Sequence, residues 1–147
     1  MNMSPRPAKI GSRPILLLAS ALMVALTAGT VAAETETPPV EELHELQREH
    51  RSGPDASEYN LANGNTLRNH VDKMTEECGE LLVDEDGEPV EATREMMMFL
   101  VLNERGRVQD VVTDPEHEFA DCALELSGDF LYGEPPEAPW VLGGPME

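Results

Sequence analysis

The chain has 147 residues and carries 29 acidic against 10 basic side chains, a net charge of −19. This length allows one modest domain, and the charge excludes a protein that attracts nucleic acid or anionic lipid head groups electrostatically. All the acidic residues follow Ala33, whereas three basic residues precede it, so the remainder of the chain has a net charge of −22. Such an acidic coat favours solubility in salt or a basic partner.

The first 33 residues have the parts of a secretory signal peptide. Three basic residues come first, an apolar stretch covers residues 15–26, and small residues end at Ala33. We therefore predict cleavage after Ala33 and a periplasmic protein. An uncleaved inner-membrane anchor is the alternative, because residues 15–33 form a run of 19 uncharged residues. No cysteine follows the cleavage site, so lipid attachment there is excluded.

Residues 34–65 are predicted to be a flexible acidic segment with one short helix. Thr37 and the two prolines after it suit a helix start, and Leu43 lies on a thin apolar edge. The sequence over 52–55, which contains Gly53 and Pro54, predicts the end of this helix. The asparagines and glycine that follow predict a polar, weakly ordered loop up to residue 65.

The compact domain is predicted to cover residues 66–142. Thr66 is a suitable N-cap, and apolar residues then recur at spacings of four and three, which predicts an amphipathic helix. Its apolar stripe consists of Leu67, Val71, Met74, Cys78 and Leu81. An acidic turn over 84–87 leads to an apolar strand over 96–102. A turn over 103–106 and a strand from Val108 follow, which is the pattern of a β-hairpin with Gly106 at a positive φ.

A second helix is predicted after the hairpin, with Asp114 as N-cap and Pro115 in its first turn. One apolar face is formed by Phe119, Cys122, Ala123, Leu126 and Phe130. A short last strand, Trp140 to Leu142, precedes a tail over 143–147. The predicted fold class is α+β, with two helices packed on one face of a small three-stranded antiparallel sheet.

The first strand is apolar at every position, although a sheet covered on one side normally alternates apolar and polar residues. Its second face therefore needs a cover. The helix near residues 38–50 and a second copy of the protein, in a homodimer, are the two alternatives.

Cys78 and Cys122 each lie on the apolar stripe of a predicted helix. In an exported chain an even cysteine count favours a structural disulfide, while two buried free thiols are the alternative. Closing a loop of about 45 residues stabilises the fold by roughly 4 kcal/mol in the chain-entropy model.

Other residues that often carry chemistry do not form a recognised site here. His44 begins a sequence that lacks the second histidine of the zinc-protease motif, and His50, His70 and His117 are expected to be solvated. The acidic residues over 84–91 do not match a calcium-binding EF-hand loop, and the methionines over 96–98 are expected to fill the core rather than bind copper. No catalytic motif is visible, so we expect no metal, no cofactor and no enzymatic activity.

The pattern of the domain resembles the C-terminal domain of TonB-type energy transducers, and more closely the AgmX/PglI-type domains. The resembling parts are the helix ending in Cys78, the strand pair on either side of Gly106, the helix with Cys122, and Phe130 with the prolines and Trp140 that follow. The resemblance covers residues 66–142 and implies a periplasmic protein-interaction domain without catalytic residues. It also implies binding by strand addition.

The predicted function is therefore binding of another periplasmic or envelope protein. The expected contact surface is the hairpin edge together with Trp140, Val141 and Leu142, where unpaired main-chain groups would accept a partner strand and Trp140 would act as an aromatic anchor. A core tryptophan is the alternative for Trp140. The alternative function is a small acidic protein that binds calcium or copper through the residues over 84–91.

Overall fold

The structure, a computed structural model, describes residues 36–146, so the predicted leader and its cleavage site lie outside the described residues. It contains the helices α1 (Val40–Ser52), α2 (Pro54–Cys78) and α3 (Phe119–Leu126) and the strands β1 (Met97–Leu102), β2 (Val108–Asp114) and β3 (Trp140–Pro145). Short 3₁₀ turns lie at Gly79–Leu82, Glu91–Thr93 and Ser127–Asp129. Within residues 36–146, no helix combines the length and the apolar character needed to cross a bilayer.

The three strands form one antiparallel sheet in the order β2-β1-β3, which confirms the predicted α+β class. β1 is central because it is apolar on both faces and pairs on both sides. Gly106 closes the β1–β2 turn with φ +71°, and a Cβ atom there would lie 2.3 Å from the carbonyl oxygens of Tyr132 and Gly133. The positive φ predicted for Gly106 is therefore confirmed, and the close approach adds a second reason for glycine.

The first face of the sheet carries the larger part of the core. Met98, Leu100 and Leu102 of β1 point to this face, where α2 and α3 cover them. The side chains that α2 and α3 bury there include Met74, Cys78, Phe119 and Ala123. The predicted apolar stripes are thus used as expected up to the helix ends, but Leu81 and Phe130 lie beyond α2 and α3. Val71 lies at the margin and is 36% exposed.

The second face is covered by α1, so of the two alternatives the structure shows the helix. Leu43 is fully buried against Phe99, Val101 and Val141. Polar contacts tie the helix to β2 at two points. The Thr37 hydroxyl donates to Asp110 Oδ2 at 2.7 Å, and His44 Nε2 lies 2.7 Å from Asp114 Oδ2.

The polar loop predicted up to residue 65 and the helix start at Thr66 are wrong. α1 ends at Ser52 as expected, but α2 begins at Pro54 and runs without a break through Thr66. Pro54 occupies the first turn, where its missing N–H costs nothing, and Asp55 complements the positive end of the helix dipole. Asn60 and Asn63, interpreted as loop residues, instead use their amides for contacts with the rest of the fold.

Two further boundaries differ from the prediction. Asp114 is the last residue of β2 rather than an N-cap, and α3 begins at Phe119, whose N–H is accepted by His117 Nδ1 at 3.1 Å. β3 continues through Gly143 and Gly144 to Pro145, because these residues pair with the beginning of β1. The last strand is therefore twice as long as predicted, and most of the expected tail belongs to the sheet.

Candidate functional site

The strand order leaves two edges of the sheet, here called the β2 edge and the β3 edge. In an antiparallel strand, the N–H and C=O of one residue point to the same side, and successive residues alternate. The N–H of Val141 donates outward to His50, so the outward residues of β3 are Val141, Gly143 and Pro145. The paired registers then place Val111 and Thr113 as outward residues of β2.

The β3 edge is partly closed by side chains of α1. His50 Nδ1 accepts the Val141 N–H at 2.9 Å, and Gln47 Nε2 donates to the Gly143 carbonyl at 3.0 Å. Because Nδ1 accepts, the His50 proton lies on Nε2 and is directed to Glu137 Oε1 at 3.1 Å. Two of the main-chain groups that a partner strand would use are therefore already hydrogen-bonded within the domain.

Trp140, Val141 and Leu142, the predicted partner-binding residues, have buried side chains. The Trp140 ring stacks on His50 with centroids 3.9 Å apart and lies edge-on to Tyr59 at 5.1 Å. Burial also raises the pKa of Tyr59 to about 12, and its hydroxyl donates to the Gly133 carbonyl. Trp140 thus takes the core position that was its alternative, and partner contact at these three residues stays a prediction.

The β2 edge has no such cover from α1. The Val111 N–H is accepted by the carboxylate of its neighbour Asp110 at 2.9 Å. Within residues 36–146, neither the Val111 carbonyl nor the outward main-chain groups of Thr113 have another hydrogen-bond partner. A depression of about 580 Å³ lies along this edge, between the start of α1 at Val40 and the start of α3.

The depression at the β2 edge is acidic. Glu116, Glu118 and Asp121 line it, all three are exposed, and no lysine or arginine is among its described lining residues. Two clefts beside β3 differ, since Arg51 lines one and Arg94 the other, whereas the cleft at Trp140 is lined by acidic residues of its own. The depression at the β2 edge is therefore more negative than the two clefts that contain an arginine.

Cys78 and Cys122 form a disulfide that joins the end of α2 to α3, with Cα atoms 6.1 Å apart. The pairing predicted from the sequence is confirmed. Within residues 36–146 there is no free cysteine. A bridge in this position is compatible with an exported protein.

The expectation of solvated histidines is wrong for His50 and His70, which are 2% and 0% exposed. Ser127 donates its hydroxyl to the Ala123 carbonyl, so it accepts from His70 Nε2 at 3.0 Å, and His70 Nδ1 accepts from Tyr132 at 2.8 Å. Burial, with the positive charge of Lys73, lowers the pKa of His70 to about 4. The cluster joins α2 to the chain after α3, and all three of its side chains are buried.

The other sequence candidates have structural roles. Asp84 Oδ1 accepts the N–H groups of Asp86 and Glu88, which forms the acidic turn, and Gly87 has φ +79°. Met96 and Met98 are core residues. In the part of the chain that the structure describes, no group of three or more histidine, cysteine or acidic side chains is arranged to hold a metal ion.

Comparison of the chain with protein-family models, with curated proteins and with solved structures finds no match. The geometry of the two edges is therefore the basis for the functional argument.

Proposed function

We propose that this protein is an exported, TonB-C-like interaction domain that binds another envelope protein by strand addition and has no catalytic role. The observation that carries the proposal is the β2 edge, where the Val111 carbonyl and the outward main-chain groups of Thr113 are unbonded within the described residues and both residues line a depression, although they are 5% and 3% exposed. An extended segment pairs with such an edge through its own main chain. Among the described residues, the β3 edge does not have fewer unbonded outward groups, but the side chains of His50 and Gln47 on α1 already lie across it.

The charge around the β2 edge indicates the kind of partner. Three exposed carboxylates line the depression, and the part of the chain after Ala33 has a net charge of −22. A second copy would bring the same carboxylates face to face, and like charges in direct opposition are unfavourable. The partner segment therefore carries lysine or arginine on the side that faces α3.

Export to the periplasm belongs to the same proposal. The Cys78–Cys122 bridge needs an oxidising compartment to form and persist, and the first 33 residues have the composition of a leader. The periplasm meets both requirements.

A photo-crosslinking experiment in the producing cells tests strand addition at the β2 edge. A photoreactive residue at position 118 is expected to capture the partner, and the same residue at position 61 on the exposed side of α2 is the matched control. The captured segment, once mapped by mass spectrometry, is synthesised with N-methyl groups on alternate amides in two registers. Only the register that blocks the edge-facing amides should lose binding. Equal binding of the two peptides, or no capture at position 118, would refute strand addition.

Two matched sets of variants test whether the carboxylates at the β2 edge attract the partner. Glu116→Gln, Glu118→Gln and Asp121→Asn remove three charges at the edge, while Glu85→Gln, Asp86→Asn and Glu88→Gln remove three at the distant turn. The first set is expected to lower the affinity for the captured segment by roughly tenfold, and the second set is expected to lower it by less than about twofold. Equal effects of the two sets would mean that overall charge, not the edge, attracts the partner.

A further inference from the structure

An unfilled space, here called the terminal pocket, lies on the β3 side of the sheet, where Met98 of β1 pairs with Gly144 of β3. Gly144 has no side chain, and a Cβ atom added there would meet nothing within 4 Å. Opposite it, α2 presents Leu67 and Val71, which do not reach across the gap. The result is an open pocket of about 640 Å³, within the size range of small-molecule sites.

The lining of the terminal pocket is mostly apolar. The apolar lining residues come from α2, from the segment before β1 and from the ends of β1 and β3, and include Val71, Val83, Met98 and Met146. Val71 and Val83 are among the few large apolar side chains that are exposed, and both stand at this pocket. Exposed apolar side chains that gather at one concave site indicate a ligand surface rather than random exposure.

Arg94 is the one charged residue among the described residues that line the pocket. Its side chain is exposed, and within residues 36–146 it forms no ion pair or side-chain hydrogen bond. Among the described residues no arginine forms an ion pair, so Arg94 is distinguished by its position at an apolar pocket and not by the lack of a carboxylate partner. Guanidinium binds carboxylate in a two-pronged geometry, so the rim of this apolar pocket is suited to that group.

We propose that the terminal pocket binds an amphipathic carboxylate with an unbranched acyl chain. The chain lies on Val71 and Met98, and the carboxylate pairs with Arg94. The strongly negative domain repels anions at long range, but screening limits that repulsion to roughly 8 Å in physiological salt, so the local guanidinium decides. A cationic amphiphile lacks a partner at the rim, and a neutral one leaves Arg94 unused.

Titration of the purified protein with dodecanoate, below the concentration at which it forms micelles, tests the proposal. Saturable binding of one molecule per chain is expected, and decanoate should bind roughly tenfold more weakly because two fewer methylenes are buried. Dodecylammonium should bind more weakly than either. The ε-methyl NMR signals of Met98 and Met146 are expected to shift, and that of Met74 in the core should not.

Two variants separate the head group from the chain. Arg94→Gln is expected to lower the affinity for dodecanoate roughly tenfold and to leave the affinity for dodecanol unchanged, because only the charge-assisted hydrogen bonds are lost. Gly144→Leu places a side chain in the pocket from a position where an added Cβ atom meets nothing within 4 Å, and it should abolish binding of both. Arg105→Gln, which changes an exposed arginine of the β1–β2 turn that lines neither this pocket nor the neighbouring cleft, is the charge control.

Three outcomes would overturn the proposal. They are absence of dodecanoate binding, unchanged binding by Arg94→Gln, and loss of binding when the protein self-associates, which would make a second copy the occupant. If Gly144→Leu proves unstable, the methionine methyl shifts locate the ligand without any substitution. The β2 edge takes no part in this experiment, so its result does not affect strand addition there.

Discussion

The two faces of the sheet are covered in very different ways. On the first face, α2 and α3 bury a cluster of fourteen residues and are joined by the Cys78–Cys122 bridge. On the second face, α1 buries a cluster of four, with Leu43 as its own fully buried contribution. Because hydrophobic stabilisation grows with the area buried, we expect α1 to detach from the sheet before α2 and α3 do.

The smaller buried cluster under α1 affects which edge of the sheet a partner strand can reach. Gln47 and His50, which bond to the β3 edge, both belong to α1, the less firmly held cover. The β2 edge carries its open groups whether or not α1 is in place. Strand addition at the β2 edge requires the Asp110 carboxylate to release the Val111 N–H, whereas access to Val141 requires α1 to move.

Removal of the disulfide gives the largest expected effect. Cys78→Ala with Cys122→Ala should lower the free energy of unfolding by about 4 kcal/mol, because the unfolded chain regains the entropy of a loop that spans 44 positions. Urea unfolding of the variant and of the parent protein measures this. Reductant should destabilise the parent and leave the variant unchanged. A loss below about 1 kcal/mol would mean that packing alone holds the first face.

Leu43→Ala tests the weaker cover. The substitution should cost about 3 kcal/mol, since it leaves a cavity against Phe99, Val101 and Val141. Leu61→Ala is the control, because Leu61 is 86% exposed and its loss should change stability by less than about 0.5 kcal/mol.

Hydrogen exchange shows where Leu43→Ala acts. The Val141 amide, which donates to His50 on α1, should exchange faster in the variant relative to amides in α3. Uniform acceleration across both faces would show that α1 does not open separately, and the contrast between the covers would then fail.

The elements that the sequence predicted well are those governed by local pattern. The apolar run of β1, the turn at Gly106 and the helical spacing of Met74 and Cys78 each depend on residues close in the chain. The need for a cover on the second face also followed from the lack of alternation in β1. The disulfide followed because both cysteines were predicted on core-facing stripes.

The parts that the sequence did not predict depend on contacts between distant residues. Asn63 is a residue type that is typical of loops, yet it lies within α2. There its side chain accepts the N–H of Gly133, which is 70 positions away, and no local pattern records this contact. His70 reads as a surface residue because its partners, Ser127 and Tyr132, lie more than 50 positions away. Only the position of α1 reveals which edge is capped, and no pattern within β3 records that position.

Acid should lower the stability of the folded protein through protonation of His70, which lies on α2 above the first face. Its folded pKa is about 4, below the ordinary value of about 6.5, so the folded state binds fewer protons than the unfolded state between these values. The stabilisation is complete above pH 6.5 and is lost as the pH falls toward 4. This difference between the folded and unfolded pKa values corresponds to at most about 3 kcal/mol in the free energy of unfolding.

His70→Phe provides the comparison for this pH dependence. The variant loses the hydrogen bonds to Tyr132 and Ser127, so it is less stable at pH 7, but it has no proton to bind at this position. Stability curves measured between pH 7 and 4 should therefore be flatter for the variant than for the parent. Parallel curves would assign the acid sensitivity to the carboxylates instead.

The polar contact between α1 and β2 should make the smallest contribution to the free energy of unfolding. His44 lies 2.7 Å from Asp114 Oδ2, but the two side chains are 36% and 45% exposed, and ion pairs this open contribute about 1 kcal/mol or less. His44→Phe keeps an aromatic ring against Phe99, which the imidazole now meets edge-on at 4.9 Å, and removes only the contact with Asp114. We therefore expect a change below about 1 kcal/mol in urea unfolding. A loss above about 2 kcal/mol would mean that polar contacts rather than Leu43 hold α1 on the sheet, and the second face would then owe its cover to electrostatics.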